Sequence, residues 1–343
     1  MRLPVWFLLL FWVSSIHSQV IFTVAEWNVE NLFDCIHDEG KEDQLFLASD
    51  GKYWSKGRLW KKETNLAKTI ASMARNSFPD VVALIEVENH HVMDHLTRRS
   101  PLRKMGYHYV MTESDDARGI DVALMYLPSS FRLLHHAEII PRHTDGTPIK
   151  TRNILHASGR LFTGDTLHIF VCHFSSKLRG KEAEQNRRDE ALTLRHAIDS
   201  LLSLNQNKII VTGDFNDQPS SPTYTSTLQS NVPNADIAAT KLYNLSATER
   251  HPARNPYGGT YKFDGKWEMI DHFLLSGALL LPSSSVRTSP DSFQVWAPDF
   301  LLEDDPDDLG LRPKRTYLGY QYHGGYSDHL PILTRFTITP KRK

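Results

Sequence analysis

Four short apolar runs along the chain each end on a polar residue. Residues 20–27 are β-rich and end on Asn28, residues 81–85 on Glu86, and residues 167–172 on His173. Residues 209–212 end on Gly213 and Asp214, with Asn216 and Asp217 close behind. Short β-branched runs stopped by turn residues predict buried strands. Two further runs carry their polar groups at the opposite end: residues 269–275 hold Asp271 near their start, and residues 330–336 follow Asp328 and His329. Weaker β patterns cover residues 107–111, 120–126, 138–140 and 154–157. Helical periodicity covers residues 61–76, where Leu66, Ile70, Met73 and Ala74 share a face, and residues 87–96. Residues 181–204 predict a long helix with Ala191, Leu194, Ile198, Leu201 and Leu202 inward and its charges solvated. Residues 35–60 read as a long loop. Residues 282–326 read as the longest irregular stretch, with the acids Glu303, Asp304, Asp305, Asp307 and Asp308 ahead of Lys314, Arg315 and several tyrosines.

If the last two runs lie antiparallel to the first four, all six polar ends gather at one edge. That arrangement requires mixed sheets rather than purely parallel ones. No Gly-x-Gly-x-x-Gly turn follows the first strand, which argues against a doubly wound nucleotide-binding fold. The mixture of strands and helices predicts packed sheets with helices outside.

Composition adds bounds. The chain has 343 residues, 40% hydrophobic and 23% charged, as in ordinary globular proteins. A formal net charge of −1 gives no global field to collect nucleic acid. The two cysteines, Cys35 and Cys172, exclude a disulfide scaffold and leave open whether they are bridged. Met1-Arg2, an apolar run at residues 3–13 and small residues afterwards describe a secretory signal peptide, here residues 1–18. Residues 19–343 then form a single catalytic domain, secreted or periplasmic, without stable membrane insertion and monomeric.

The chemistry available at the shared edge is specific. Asn28, Glu86 and Asp328 offer hard oxygen atoms suited to Mg²⁺ or Mn²⁺. His173 and His329 can donate to phosphate or leaving-group oxygens, and Asp214 can deprotonate an attacking water. Asn216 can stabilise charge on phosphorus, and Asp271 can fix the tautomer of His329 and raise its pKa. Taken singly, each has an ordinary use: an Asp/Asn turn at 214–217, a helix cap for Glu86, a turn at 328–329. Their order on successive runs is what points to metal-assisted attack of water on a phosphate ester.

Trp27-Asn28-Val29-Glu30-Asn31, Ile85-Glu86, His173-Phe174, Gly213-Asp214-Phe215-Asn216, Ile270-Asp271-His272 and Ser327-Asp328-His329-Leu330-Pro331 resemble the endonuclease/exonuclease/phosphatase superfamily. The motifs occur in order over nearly all of residues 19–343. The resemblance implies a four-layer α/β/β/α sandwich of two packed mixed sheets, with divalent-metal hydrolysis of a phosphate ester at one edge. It implies metal positions at Asn28 and Glu86 with Asp328 nearby, and Asp214 and Asn216 as the water-activating and phosphate-orienting pair. His173 takes the first histidine position, Asp271 pairs with His329, and Arg118 falls in the substrate-contact region. The opening Asn-Val-Glu-Asn-Leu-Phe-Asp and Lys61-Lys62 with Asn65 and Lys68 are similar to an exported bacterial branch. A nuclease acting on DNA or RNA is the favoured activity, with Tyr317, Tyr320, Tyr322 and Tyr326 as candidate base-stacking residues. The alternatives are a phosphatase or phosphodiesterase for small or lipid-headgroup esters, and a catalytically silent binding protein on the same fold.

Overall fold

The computed structural model describes residues 20–339 except 50, 75–77, 178–179, 206 and 249–251. The signal segment expected at residues 1–18 lies outside them. The chain begins with β1 (Val20–Leu32), α1 (Lys56–Ser72), β2 (Val81–Val87) and α2 (His90–Arg98). Then come β3 (His108–Met111), β4 (Asp121–Tyr126), β5 (Arg132–Ile139), β6 (Ile154–Arg160), β7 (Thr166–His173), α3 (Gly180–Ser203) and β8 (Ile209–Asp214). Short strands β9 (Ser230–Asn231), β10 (Leu242–Asn244), β11 (Tyr261–Phe263) and β12 (Lys266–Glu268) precede β13 (Asp271–Ser276). The remainder contains β14 (Val286–Arg287), β15 (Gln294–Val295), β16 (Leu302–Asp304), β17 (Leu311–Pro313), β18 (Tyr317–Leu318), β19 (Gln321–Tyr322) and β20 (Ile332–Ile338).

Two seven-stranded sheets result. The first runs β14-β20-β1-β2-β4-β3 with β15 also on β20, and the second runs β5-β6-β7-β8-β13-β10-β9. Both are mixed. In the first, β1 is parallel to β2 and antiparallel to β20. In the second, β7 is parallel to β8, which is antiparallel to β13. Strand alternation divides the core. Ile210, Phe273 and Leu275 join the first sheet's residues between the sheets, while Val211 and Leu274 pack with Ala191, Leu194 and Ile198 of α3. Helix α1 adds Leu66 and Ile70, and α2 adds Val92 and Leu96, to the core of the first sheet. The layers are therefore those of the expected α/β sandwich.

Several expectations need correction. Helix α1 starts at Lys56 and not Lys61, because Ser55 caps it by accepting a bond from the Arg58 N–H. Helix α2 starts at His90, since Asn89 accepts from the His91 and Val92 N–H groups and leaves Val87 to β2. The charges of α3 are not all solvated: Arg187, Asp189 and Glu190 are buried. Glu190 accepts from the Ser175 N–H and hydroxyl, and Arg187 donates to the Ser175 carbonyl. Residues 282–326 carry six short strands, and β11 and β12 form a hairpin. Both cysteines are free, Cys172 buried and Cys35 half-buried. No helix among the described residues is long and apolar enough to cross a membrane.

Gly213 shows why one motif residue has to be what it is. Its φ is +143°, and a Cβ there would sit 1.9 Å from the Cys172 carbonyl oxygen on β7. The neighbouring backbone cannot yield without breaking the β7–β8 ladder. Gly213→Ala is expected to destabilise the protein by about 3 kcal/mol or more, read as a fall in the urea midpoint. A midpoint unchanged from wild type would show that the ladder relaxes.

Candidate active site

The edge is built from strained backbone. Eight non-glycine residues have positive φ among the described residues, and four of them, Glu30, Asn31, Glu86 and Asn216, lie here. Glu86 at +66° gains nothing from the local hydrogen bonding that makes asparagine tolerable in this region. The strain coincides with register breaks between Asn28 and Leu32 and between Ile85 and Val87. These bulges turn Glu86 so that its Oε2 accepts the Asn31 N–H at 2.9 Å. Strain of this kind persists where surrounding structure over-determines it, as at functional sites.

Asp214 lies at the centre. Its Oδ2 accepts from Asn28 Nδ2 at 3.0 Å, and its Oδ1 accepts from the Asn216 N–H at 2.8 Å. The Nε2 atoms of His173 and His329 both stand 3.8 Å from Oδ2. His329 Nδ1 bonds Asp271 Oδ2 at 2.8 Å, and Thr260 donates to the same oxygen. Strand register in the second sheet opposes Asp271 to Asp214 and His173 to Asp214, so that sheet delivers these three groups as the run-end pattern requires. The main chain around His329 is fixed as well: Trp27 Nε1 donates to its carbonyl at 2.9 Å, and Ser327 Oγ donates to the Asn28 carbonyl at 2.6 Å. Asn216 Nδ2 donates to the Phe174 carbonyl. Glu86 Oε1 lies 3.9 Å from His173 Nε2. Asp328 is half-buried and bonds Arg315 Nη2 at 2.6 Å. Arg118 is exposed, its Nε 3.9 Å from Asp116, yet close enough that its charge acts on His173.

Burial and charge sort the protonation states. Burial pushes Asp214 up to about 7; the His329 charge opposes the shift and Asp271 adds to it. Burial alone would lower His329, but the Asp271 carboxylate and its hydrogen bond outweigh that and hold the imidazole well above its ordinary value. His173 goes the other way, neutral through burial with Arg152 and Arg118 adding to the effect. Burial raises Asp328, but His329 and Arg315 overcome this and keep it ionised.

Glu30 also sits near 7, raised by burial and Asp328, while burial takes Glu63 to about 8 and Glu88 to about 9. Each of these carboxyls binds its proton more tightly folded than unfolded. Its stabilising share is therefore full below about pH 4 and is lost as pH rises through the folded value. His156 and His272, lowered to about 4 by burial, titrate below this range, and Lys62, lowered to about 8, acts above it. In EDTA, the melting temperature is expected to fall from pH 6.5 to 8. A flat or rising profile over that window would contradict the protonated carboxyls.

Several residues at this edge escaped the sequence reading. Glu26, two before Asn28 on β1, is fully buried, and neither carboxyl oxygen has a hydrogen-bond partner among the described residues. Burial, with Asp271 and Asp214 adding, raises its pKa well above the ordinary value and keeps it a neutral acid. Arg152 is buried, donating to the Phe174 carbonyl at 2.6 Å and to Asp116 at 3.2 Å. Lys62 on α1 is buried and donates to the Thr316 hydroxyl, the Tyr326 carbonyl at 2.7 Å and the Glu30 carbonyl. With Asn65, which donates to the Gly324 and Gly325 carbonyls, it ties α1 to the segment leading into Asp328. Tyr261 packs against His329 with ring centroids 4.9 Å apart and the planes tilted by 35°.

Among solved structures, an endonuclease/exonuclease/phosphatase family protein from Bacteroides thetaiotaomicron superposes with a TM-score of 0.58 at 17% identity, covering 94% of this chain and 96% of that one. A mannosyl-6-phosphatase from the same organism gives 0.56 at 18%, covering 92% and 99%. D. rerio TDP2 in complex with a single-strand DNA product gives 0.54 at 17%, covering 92% and 98%. At these identities the likeness is one of fold. Comparison with curated proteins gives no match. A model of the Endonuclease/Exonuclease/phosphatase family matches residues 23–337, and members of that family hydrolyse phosphate esters in a divalent-metal-dependent way. With both sheets and the whole of the shared edge inside the matched span, the chain belongs to the endonuclease/exonuclease/phosphatase family and is a phosphoester hydrolase.

Proposed function

We propose that the protein is an exported hydrolase of compact phosphate esters that uses a divalent cation and an activated water. The observation that carries this is the convergence of Asn28, His173 and His329 on one carboxylate, Asp214, at 3.0, 3.8 and 3.8 Å.

The donor set fits a hard cation. Glu86 Oε1 accepts no hydrogen bond among the described residues, and Asn28 Oδ1 and Asp328 add oxygen atoms at the same edge. Glu86, Asn28 and Asp328 would hold Mg²⁺ or Mn²⁺. Asp214, Asp271 and His329 also bring donor atoms within 4.8 Å of one another. We assign these three to proton handling, because His329 Nδ1 is engaged by Asp271 and a charged imidazole does not ligate a metal. A bound cation supplies positive charge against the phosphate oxygens.

Asp214 takes the proton of the attacking water, and a carboxyl near 7 is matched to that task at neutral pH. As the water oxygen bonds to phosphorus, the ester P–O bond breaks. His329, held in one tautomer by Asp271, donates from Nε2 to an oxygen on phosphorus or to the leaving group. Asn216 and His173 steady the charge that develops there, and Arg118 stands at the rim for the substrate.

Two features favour a compact substrate. A cavity of about 250 Å³ opens beside Asp328 and Arg315, and its lining sets Asp264, Asp305, Asp307, Asp308 and Asp328 against only Lys262, Arg312 and Arg315, a balance that does not favour a polyanion. Of the candidate base-stacking tyrosines, Tyr317 is buried, while Tyr322 and Tyr326 pack against the core. A second reading, cleavage of single-stranded nucleic acid, is favoured by Tyr320, which is 66% exposed, and by the DNA product held by the D. rerio relative. Export rests on the pattern of residues 1–18.

The test is hydrolysis by residues 19–343 with Mg²⁺, Mn²⁺ or EDTA. The substrates are sugar phosphates, p-nitrophenyl phosphate, bis-p-nitrophenyl phosphate, sphingomyelin, single-stranded DNA and RNA. Metal-dependent turnover of the small esters alone supports the first reading. Turnover confined to polynucleotide supports the second, and failure on all of them overturns both. N-terminal sequencing of the exported protein tests cleavage after residue 18.

A further inference from the structure

Beyond Arg152 and Arg118, three further positive side chains border this edge, and two of them are already engaged there. Lys62 is fully bonded to Thr316, Tyr326 and Glu30. Arg315 holds Asp328 at 2.6 Å, with Glu30 3.8 Å from its Nε. The third, Lys52, lies on the loop between β1 and α1. Its carbonyl accepts from Arg58 Nη1 at 2.6 Å and from the Tyr317 hydroxyl at 2.9 Å, which pins its main chain. Its ammonium lies 4.6 Å from the Phe46 ring centroid and 4.8 Å from that of Tyr317. Tyr317 in turn donates its backbone N–H to Glu30 at the site.

Among the described residues the Lys52 ammonium has no hydrogen bond and no ion pair. Glu30, Glu86, Asp328 and Arg315 are nonetheless all close enough for their charges to act on it. Half-buried between two rings, with its donors unspent, it faces the edge where a phosphate must enter. Aromatic faces hold a cation in place without consuming its N–H groups, which leaves three donors for an anion.

We infer that Lys52 is a substrate-binding residue whose ammonium receives an anionic oxygen of the phosphate ester. The inference deepens the proposed function and rests on it. The oxygen belongs either to the phosphate under attack or to a second phosphate on the same substrate. The chemistry at Lys52 is the same in both cases.

The experiment uses residues 19–343 loaded with Mg²⁺, as wild type, Lys52→Met, Lys52→Gln, Lys52→Arg and the control Lys61→Met on the exposed face of α1. Methionine keeps the aliphatic volume between Phe46 and Tyr317 and can pack against both rings. Readouts are KM and kcat on p-nitrophenyl phosphate, inhibition by inorganic phosphate and by pyrophosphate, phosphate binding by calorimetry, and thermal melting. Loss of a charged hydrogen bond predicts about a tenfold weakening. In Lys52→Met and Lys52→Gln it appears in KM more than in kcat, and Lys52→Arg recovers most of it. Weakened binding of inorganic phosphate places Lys52 on the phosphate under attack. Weakening confined to pyrophosphate places it on a second phosphate. Unchanged KM and unchanged binding of both anions, or an equal effect from Lys61→Met, overturn the inference. So does a melting temperature that falls while every affinity stays put, which is the mark of a purely structural lysine. Absence of turnover in the wild type overturns the proposed function instead, and the calorimetry still reports on Lys52.

Discussion

Asp214→Asn is expected to lower kcat/KM by about 10⁴-fold while leaving the protein folded. The carboxylate is where the site's hydrogen bonds meet. Asn28 Nδ2 and the Asn216 N–H donate to its two oxygens, and two imidazoles stand 3.8 Å away. An amide of the same shape keeps the Asn216 bond but presents N–H groups to Asn28, which is itself a donor there. Asn28 must then turn over, losing the bond its Oδ1 accepts from the Glu30 N–H and with it one oxygen offered to the cation. The variant thus removes the proton acceptor and disturbs a cation ligand together. Stability has less to lose, because a carboxyl pushed up to about 7 by burial is easily replaced by a neutral amide. Steady-state kinetics alongside thermal melting checks both halves. Activity within tenfold of wild type would sink the assignment of Asp214 as base.

Asp271→Asn is expected to cost about 10³-fold in kcat and to move the alkaline limb of the pH–rate profile to lower pH. Asp271 is fully buried, and its Oδ2 accepts from His329 Nδ1 at 2.8 Å and from Thr260. Its Oδ1 has no hydrogen-bond partner among the described residues. Asparagine can place its carbonyl at Oδ2 and keep both bonds, so the contacts survive and only the negative charge goes. Burial then acts on His329 with less opposition, and its pKa drops. As pH rises, the variant loses its imidazolium earlier than the wild type does. A limb left in place would mean that His329 is not the proton donor.

The chain's own pattern disclosed the site to the extent that strand direction is periodic. A polar residue at the end of an apolar run sits at a sheet edge, and parallel pairing of β1 with β2 and of β7 with β8, with β13 antiparallel to β8, brings Asn28, Glu86, His173, Asp214 and Asp271 to one edge. The same rule applied to Arg152, which precedes the run opening β6, and β6 is antiparallel to β7. It was missed because an arginine before a strand reads as a solvated residue. Glu26 was missed for another reason. A charged residue inside a strand suggests the wet face of an alternating strand, whereas β1 is covered on both faces and Glu26 is held as an acid between the sheets. The roles of Lys62 and Lys52 could not be read from local sequence, since part of the surroundings of each comes from residues more than 250 positions away. The buried charges of α3 likewise depend on Ser175 and Asp217, which no helical period reveals. The positive φ of Glu86 is a product of the bulges, and glutamate carries no local sign of it.

Strand β1 lies between β2 and β20, so the first strand of the fold has the last as its neighbour. Trp27 holds the carbonyl of His329 across 302 positions, and Lys62 holds that of Tyr326 across 264. Pairings so remote carry a loop-closure cost that nearby contacts do not, and they slow assembly. A ribosome that has not yet reached residue 329 has therefore made no hydrolase: β1 lacks its partner β20 and His329 does not yet exist. Activity arrives only once residues 327–338 have been made. A protease that removes that stretch silences the enzyme without touching a single residue of the Gly213–Asn216 motif.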